Sequence, residues 1–489
     1  MQKRIAITIA TLAVLALLVA ACGTTTTPAP TAAPAQPTTA PVVQPTTPPA
    51  PPTAAPVAPT AVPPTAVPPT TVPAAAKLQV IWFAWQPCQA LGELVKTYKT
   101  ASVEVRCVPI AQWHDQIFTD FAAKGGADIV ILDSQFIGEA VKGKHILELT
   151  DWMKGNIDVE DYVPAALDAY GEYPAGSKKY WGVAAEGDTQ MLVYRKDVLD
   201  DAKAKADFKA ATGKELGLPQ SWTELLAIAK FFKANKGKYG VDYGYTTFFC
   251  GTPACYDQMA THWNQILWSF GGELWDPKTY KVTGAINSDI AVKALQFDKE
   301  LFATGVDGQG NFQFDETVDA MCSGKSFMTT IWFGFGPAFV DEKGCKNSKN
   351  LAYALVPGET KRFTSLGGMG LHASAYTKNK DATLAFIKWF ESKDIQLEWA
   401  KLGGFSARKS VLASDAFKKA APYNPAFAEA YQYVKDFWNI PEYSPMLNSQ
   451  MKHLNLAVTG QEDPKAALDA IAKEQQKILD EAYPNGPPK

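Results

Sequence analysis

Downstream of residue 77 the apolar and polar positions of the chain follow two rhythms. "KLQVIWFAW", Lys77 to Trp85, is a continuous apolar run closed by Gln86 and Pro87, the pattern of a strand covered on both faces. A helix is predicted from about Leu91 to Thr100. "VEVRCVPI" then alternates and stops at Pro109, "QWHDQIFTDFAAKGG" has helical spacing, and "ADIVILD" is another buried strand, ending in Asp133. This βαβαβ succession predicts a doubly wound sheet. Ligands of such sheets gather beyond the carboxyl ends of the strands, so Trp85, Gln86, Asp133, Ser134 and Gln135 become candidates by position. Asp133 and Ser134 equally suit the cap of a following helix.

Further along, "LPQSWTELLAIAKFFKAN" sets Ser221 three residues before Glu224, a capping box, with Leu225, Ala229 and Phe232 at helical spacing. "SDIAVKALQFDKELFATG" predicts another helix, with Ile290, Ala294, Phe297 and Leu301 down one face. The body contains no internal repeat.

The first residues read differently. Lys3 and Arg4 precede an apolar run from Ile5 to Ala21, too short and too sharply ended for a membrane span. Val19-Ala20-Ala21-Cys22 resembles the bacterial lipobox, which implies a signal peptide over 1–21, lipidation of Cys22 and an exported lipoprotein held on the extracytoplasmic face of the cell membrane by acyl chains alone. Residues 22–76 are Pro, Thr, Ala and Val with almost no charge. Proline lacks the amide donor, so this tract predicts a disordered, polyproline-like tether of up to roughly 150 Å at about 3.1 Å per residue.

Composition narrows the partners. The formal net charge is −3 and no Lys/Arg block occurs, which argues against nucleic acid and for a neutral or small partner. With Cys22 lipidated, six cysteines remain in three sequence-local couples: Cys88 with Cys107, Cys250 with Cys255, and Cys322 with Cys345. An even count outside the membrane predicts disulfides in those pairs. "CGTPAC" has no second Cys/His cluster nearby to make a zinc site, and a CxxC redox motif is absent.

"KLQVIWFAW", "GGADIVILD", "KKYWGVAAEGDTQMLVYRKDVL", "LPQSWTELLAIAKFF", "WSFGGELWD", "MCSGKSFMTTIWFGFG" and "LGGMGLHASAYTKNKDATLAFIKWF" occur in the order seen in the family 1 extracellular solute-binding proteins, the group similar to maltose-binding protein. The resemblance covers nearly the whole body. It implies an α/β, two-lobed periplasmic-binding-protein-like fold of type II, each lobe a doubly wound sheet flanked by helices and joined by hinge segments. Crossings are expected near Ala184–Thr189, Thr330–Phe333 and Glu391–Gln396, giving lobe 1 as 77–185 plus 333–392 and lobe 2 as 186–332 plus 393–489. The implied function is capture of a solute, usually a sugar, for ABC permease subunits, by a monomer that closes about its hinge and needs no cofactor.

A neutral sugar needs aromatic platforms for its C–H faces and acceptors or amides at its rim. The resemblance places an acidic contact at the first crossing, which falls on Asp188, with Glu186 beside it; a solvated acidic turn is the plain alternative. It also implies a stacking residue on Trp332, with Phe335 as its neighbour, although tryptophan is more often core. His262, Trp263 and Asn264 stand where relatives contribute polar and aromatic contacts. Gly367 and Gly368 permit close backbone approach, and Arg408 suits either a bidentate contact or a salt bridge. Two rival functions remain: a binder of polyamines or other small solutes, with Glu186 and Asp188 facing ammonium groups, and a surface glycoside hydrolase using the same two carboxylates. GxSxG, HExxH, Walker and DxDxDG patterns are all missing from the sequence.

Overall fold

The computed structural model describes residues 76–437 and 439–487. The signal segment, Cys22 and all but the last residue of the tether lie outside the described residues. No described helix is long and apolar enough to cross a membrane.

Eleven strands occur among the described residues: β1 Lys77–Phe83, β2 Ser102–Val108, β3 Ile129–Leu132, β4 Val183–Glu186, β5 Gln190–Arg195, β6 Tyr243–Tyr245, β7 Ser326–Trp332, β8 Leu351–Leu355, β9 Thr364–Ser365, β10 Met369–Ala373 and β11 Val434–Lys435. They build two sheets of order β2-β1-β3-β10-β4 and β6-β7-β5-β8, with a two-stranded β11-β9 ladder. Strands β1, β2 and β3 are parallel, and β10 enters antiparallel to both β3 and β4. In the second sheet β6 and β7 are parallel, whereas β5 runs against both β7 and β8. One buried apolar cluster is centred on the first sheet, with Trp82, Ile131 and Leu371, and another contains the helices of the second, with Trp222, Trp263 and Leu468.

The opening apolar run gives β1, yet the strand ends at Phe83 and a helix starts at Gln86, with Pro87 in its first turn. Proline is tolerated there because the first helical amides have no intrahelical partner. The helix therefore runs Gln86–Leu94, earlier than its apolar spacing predicts. Ser221 caps Trp222–Ala234 as its spacing requires, accepting from the Glu224 amide at 3.1 Å. In Asp289–Phe302 the buried face is Ala291, Ala294, Leu295, Asp298 and Leu301, so Ile290 is exposed. Ala294 and Leu301 are buried as their spacing predicts, while Ile290 and Phe297 yield the inner face to Ala291 and Asp298, the latter drawn in by its pairing with buried His262.

The first crossing is the short Gly187–Thr189 link between β4 of one sheet and β5 of the other. The expected crossing at Thr330–Phe333, which would put 333–392 in the first lobe, is not where the chain changes sheets: β8 returns to pair with β5, and the chain enters the first sheet only after Leu366–Gly368. A bridge between Thr189 and Leu366 sets these two links side by side. Past Glu391, the helix Lys393–Lys401 still packs on Gln86–Leu94 of the first sheet's layer. All three cysteine couples are bonded: Cys88–Cys107, Cys250–Cys255 and Cys322–Cys345.

Candidate functional site

A cavity of about 710 Å³ opens where the two links meet, within the ordinary range of about 300–1,000 Å³ for small-molecule sites. One wall is formed by residues just past the carboxyl ends of three parallel strands: Trp85 and Gln86 after β1, Ile110 after β2, and Asp133 after β3. That is the position strand polarity favours, since loops there are free of the sheet ladder. The facing wall is supplied by Tyr256, Asp257 and Gln258 and by Gln313 to Glu316 at a helix start, and the lining is completed by Trp332 at the end of β7 and by Gly334, Phe335, Pro337, Ala338 and Asp341 after it. Asp188, Gly367 and Met369 form the floor.

Two glycines let aromatic faces reach the cavity. A Cβ on Gly334 would stand 2.5 Å from the Trp85 ring and 2.9 Å from Asp188 Oδ2; one on Gly367 would stand 2.2 Å from the Trp332 ring. Trp85 stacks on Phe83 at 4.7 Å, and Phe335 tilts against Phe314 at 4.7 Å. Asp188 ties the first link to the turn after β7, its Oδ1 accepting from the Thr189 amide at 2.7 Å and its Oδ2 from the Gly334 amide at 3.2 Å. Burial nevertheless holds its pKa well above the usual carboxylate range.

Of the sequence candidates, Trp85, Gln86, Asp133, Asp188, Trp332, Phe335 and Gly367 line the cavity. Ser134 and Gln135 lie behind Asp133, where both side chains donate to its carboxylate. Glu186 is wholly buried and outside the lining, with both carboxyl oxygens unpartnered. Burial, then the charge of Asp188, raises its pKa well above the usual carboxylate range. Gly368 adjoins it, where a Cβ would stand 2.0 Å from the Glu186 carbonyl oxygen.

Four candidates fall elsewhere. His262, Trp263 and Asn264 lie on Gln258–Ser269, a helix buried on every side. His262 Nε2 is 3.0 Å from Asp298, Asn264 accepts from Gln450 at 2.7 Å, and Trp263 is in the second apolar cluster. Arg408, 4% exposed, donates through Nε and Nη2 to Glu391 Oε2 at 3.0 and 2.7 Å and stands over the Tyr162 ring. It is the salt-bridge alternative that is realised.

Sequence reasoning missed the segment Tyr256–Gln258. Tyr256 donates to Asp133 Oδ2 at 2.6 Å and accepts from Gln135 Nε2 at 2.5 Å. Its φ of 58° is rare for a bulky side chain, a cost of about 1–3 kcal/mol met where a site demands it. The Cys250–Cys255 bond closes the loop immediately before it. "CGTPAC" was the only signal, and it marks the loop rather than the tyrosine that follows.

Carboxylates crowd around this tyrosine. Burial, then the charge of Asp133, raises the pKa of Asp257 well above normal, and the same two causes push Asp436 up to about 8. An acid with a raised folded-state pKa stabilises the fold fully below its unfolded value and loses that contribution as pH rises through the folded value. His372 works oppositely, since burial lowers its pKa from 6.5 to about 4 and its contribution is lost only as pH falls through that interval. Melting temperature should therefore fall as pH rises from 6.5 to about 8, and Asp436→Asn should flatten that slope in a calorimetric series.

Comparison with known proteins agrees with this architecture. The chain is similar to the probable amino-acid ABC transporter periplasmic-binding protein y4oP of Sinorhizobium fredii, 24% identical over 329 residues that span 66% of this chain and 67% of that one. It is also similar to the galactooligosaccharide-binding protein of Bacillus subtilis, 21% identical over 415 residues, 81% of this chain and 87% of the relative. Among solved structures, maltose-bound MalE3 of T. maritima superposes with a TM-score of 0.69 at 22% identity, covering 82% of this chain and all of the other. The model of the bacterial extracellular solute-binding proteins matches residues 88–397. The chain belongs to the bacterial extracellular solute-binding protein family.

Proposed function

We propose that this protein captures a carbohydrate solute in the cavity between its two sheets and delivers it to an ABC permease, without altering it. The observation that carries the reading is the chemistry of the lining. Aromatic rings of Trp85, Trp332, Phe314 and Phe335 stand among carboxylates and the amides of Gln86, Gln258 and Gln313, and among the described residues the lining contains no Lys, Arg or His. Rings suit the C–H faces of a sugar, and acceptors and amides suit its hydroxyls. A free amino acid would bring an α-carboxylate into a cavity with no basic side chain to meet it, a costly burial. The amino-acid relative therefore does not set the expectation here, and the carbohydrate-binding relatives do.

The hinge in this reading is the paired links Gly187–Thr189 and Leu366–Gly368, with the lobes lying to either side. Because solute would touch both walls, it would favour the closed form over the open one. Export and lipid anchoring through Cys22 fit the same role. Trp85→Ala and Trp332→Ala should each weaken carbohydrate binding by about 1–3 kcal/mol, read by isothermal titration, while leaving the far-ultraviolet circular dichroism unchanged. Loss of the folded spectrum instead would make these rings core. Conversion of a bound oligosaccharide to shorter products, followed by chromatography, would favour the hydrolase reading.

A further inference from the structure

We infer that the solute is a carbohydrate bearing a protonated amine, an amino sugar or amino polyol, whose nitrogen sits against Asp257 and Asp133. This rests on the carbohydrate reading and narrows it.

Among the described residues six carboxylates line the cavity, from Asp133, Asp188, Asp257, Asp315, Glu316 and Asp341, with no cationic side chain beside them. Several are committed to local structure: Glu316 accepts from the Gln313 amide, and Asp341 from the amides of Lys343 and Gly344. Asp257 is not. It is 6% exposed, no side chain among the described residues donates to it, and its neighbour Asp133 is buried at 5% exposure, accepting from the Tyr256 hydroxyl. Beside them Gln258, 3% exposed, lines the same cavity with an Oε1 that has no hydrogen-bond partner. An orphaned acceptor next to an unpaired carboxylate is an arrangement completed by a donor carrying positive charge.

The alternatives fit less well. The two helix starts at the cavity, Gln258–Ser269 and Phe314–Cys322, carry Asp257 at the N-cap position, without a capping hydrogen bond, and Asp315 and Glu316 in the first turn, so an anionic solute would meet carboxylates at both. No group of carboxylates among the described residues is arranged to hold a metal ion. A neutral sugar would satisfy acceptors but leave the carboxylates repelling one another, the same repulsion that, after burial, raises the pKa of Asp257. An ammonium relieves it.

The test is isothermal titration of the full chain with series matched except at one group: glucose, N-acetylglucosamine and glucosamine; cellobiose, diacetylchitobiose and its deacetylated form; sorbitol and 1-amino-1-deoxysorbitol; and spermidine alone. In at least one series the aminated member should bind about tenfold or more tightly than its neutral partners. Asp257→Asn should shrink that gap, and Asp315→Asn, on an exposed helix start, should shrink it less without endangering the fold. Equal or tighter binding of the neutral members overturns the inference and leaves the carbohydrate reading intact. Spermidine binding with no sugar bound in any form overturns both, and a panel without any preference for an amine overturns the inference.

Discussion

Arg408→Ala should lower the unfolding free energy by about 3–5 kcal/mol while leaving solute affinity within about twofold. The guanidinium and Glu391 are both almost fully buried, and every partner of Glu391 converges on one oxygen, Oε2, which takes Arg408 Nε and Nη2 and the Tyr162 hydroxyl. The other oxygen, Oε1, is unpartnered. Removing the arginine leaves a buried carboxylate with a single phenol for support, and burial already pushes its pKa up. Breaking a buried pair costs far more than the pair contributes, because the surviving charge keeps its desolvation penalty. The double variant Glu391→Gln, Arg408→Met should therefore recover much of the loss in denaturant melts. An affinity loss without a stability loss would put Arg408 at the solute.

Asp188→Ala should cost roughly 10- to 100-fold in solute affinity and about 2–4 kcal/mol in stability together. The carboxylate faces the cavity and also accepts from two buried amides, Thr189 on the first link and Gly334 after β7. Truncation leaves both N–H groups without partners, at about 1–3 kcal/mol each before any relaxation. Asp188→Asn keeps an acceptor oxygen for one amide and should fall between, provided titration and melting are measured on the same preparations. Unchanged affinity beside lowered stability would confine Asp188 to a structural part.

The residues that were legible share a physical reason. Trp85, Gln86 and Asp133 follow apolar runs whose ends mark carboxyl ends of parallel strands, and strand polarity alone sends such residues to a cleft. Asp188 and Trp332 are legible only through the family resemblance, which implies an acidic contact and a stacking ring at those two positions. The cysteine couples are close in sequence, so loop closure favours them at little cost. His262, Trp263 and Asn264 were misplaced because what buries them is remote: Asp298 is 36 residues away and Gln450 186. A polar side chain on a helix reads as surface until its partner is known. Arg408 is the same case, its choice between solute and salt bridge being decided by Glu391 and Tyr162. The return of β8 to the second sheet left no mark either, since a five-residue apolar run pairs equally well with either sheet. Tyr256 was invisible because its role comes from a rare backbone angle and a disulfide-closed loop, neither of which has a hydrophobic period.

Tryptophan fluorescence of the full chain, titrated in parallel with mono- and oligosaccharides, amino sugars and the standard amino acids, tests the central claim most directly, because Trp85 and Trp332 both face the cavity. The account predicts a saturable change with at least one carbohydrate and none with any amino acid. Saturation by an amino acid, with every carbohydrate silent, would contradict it.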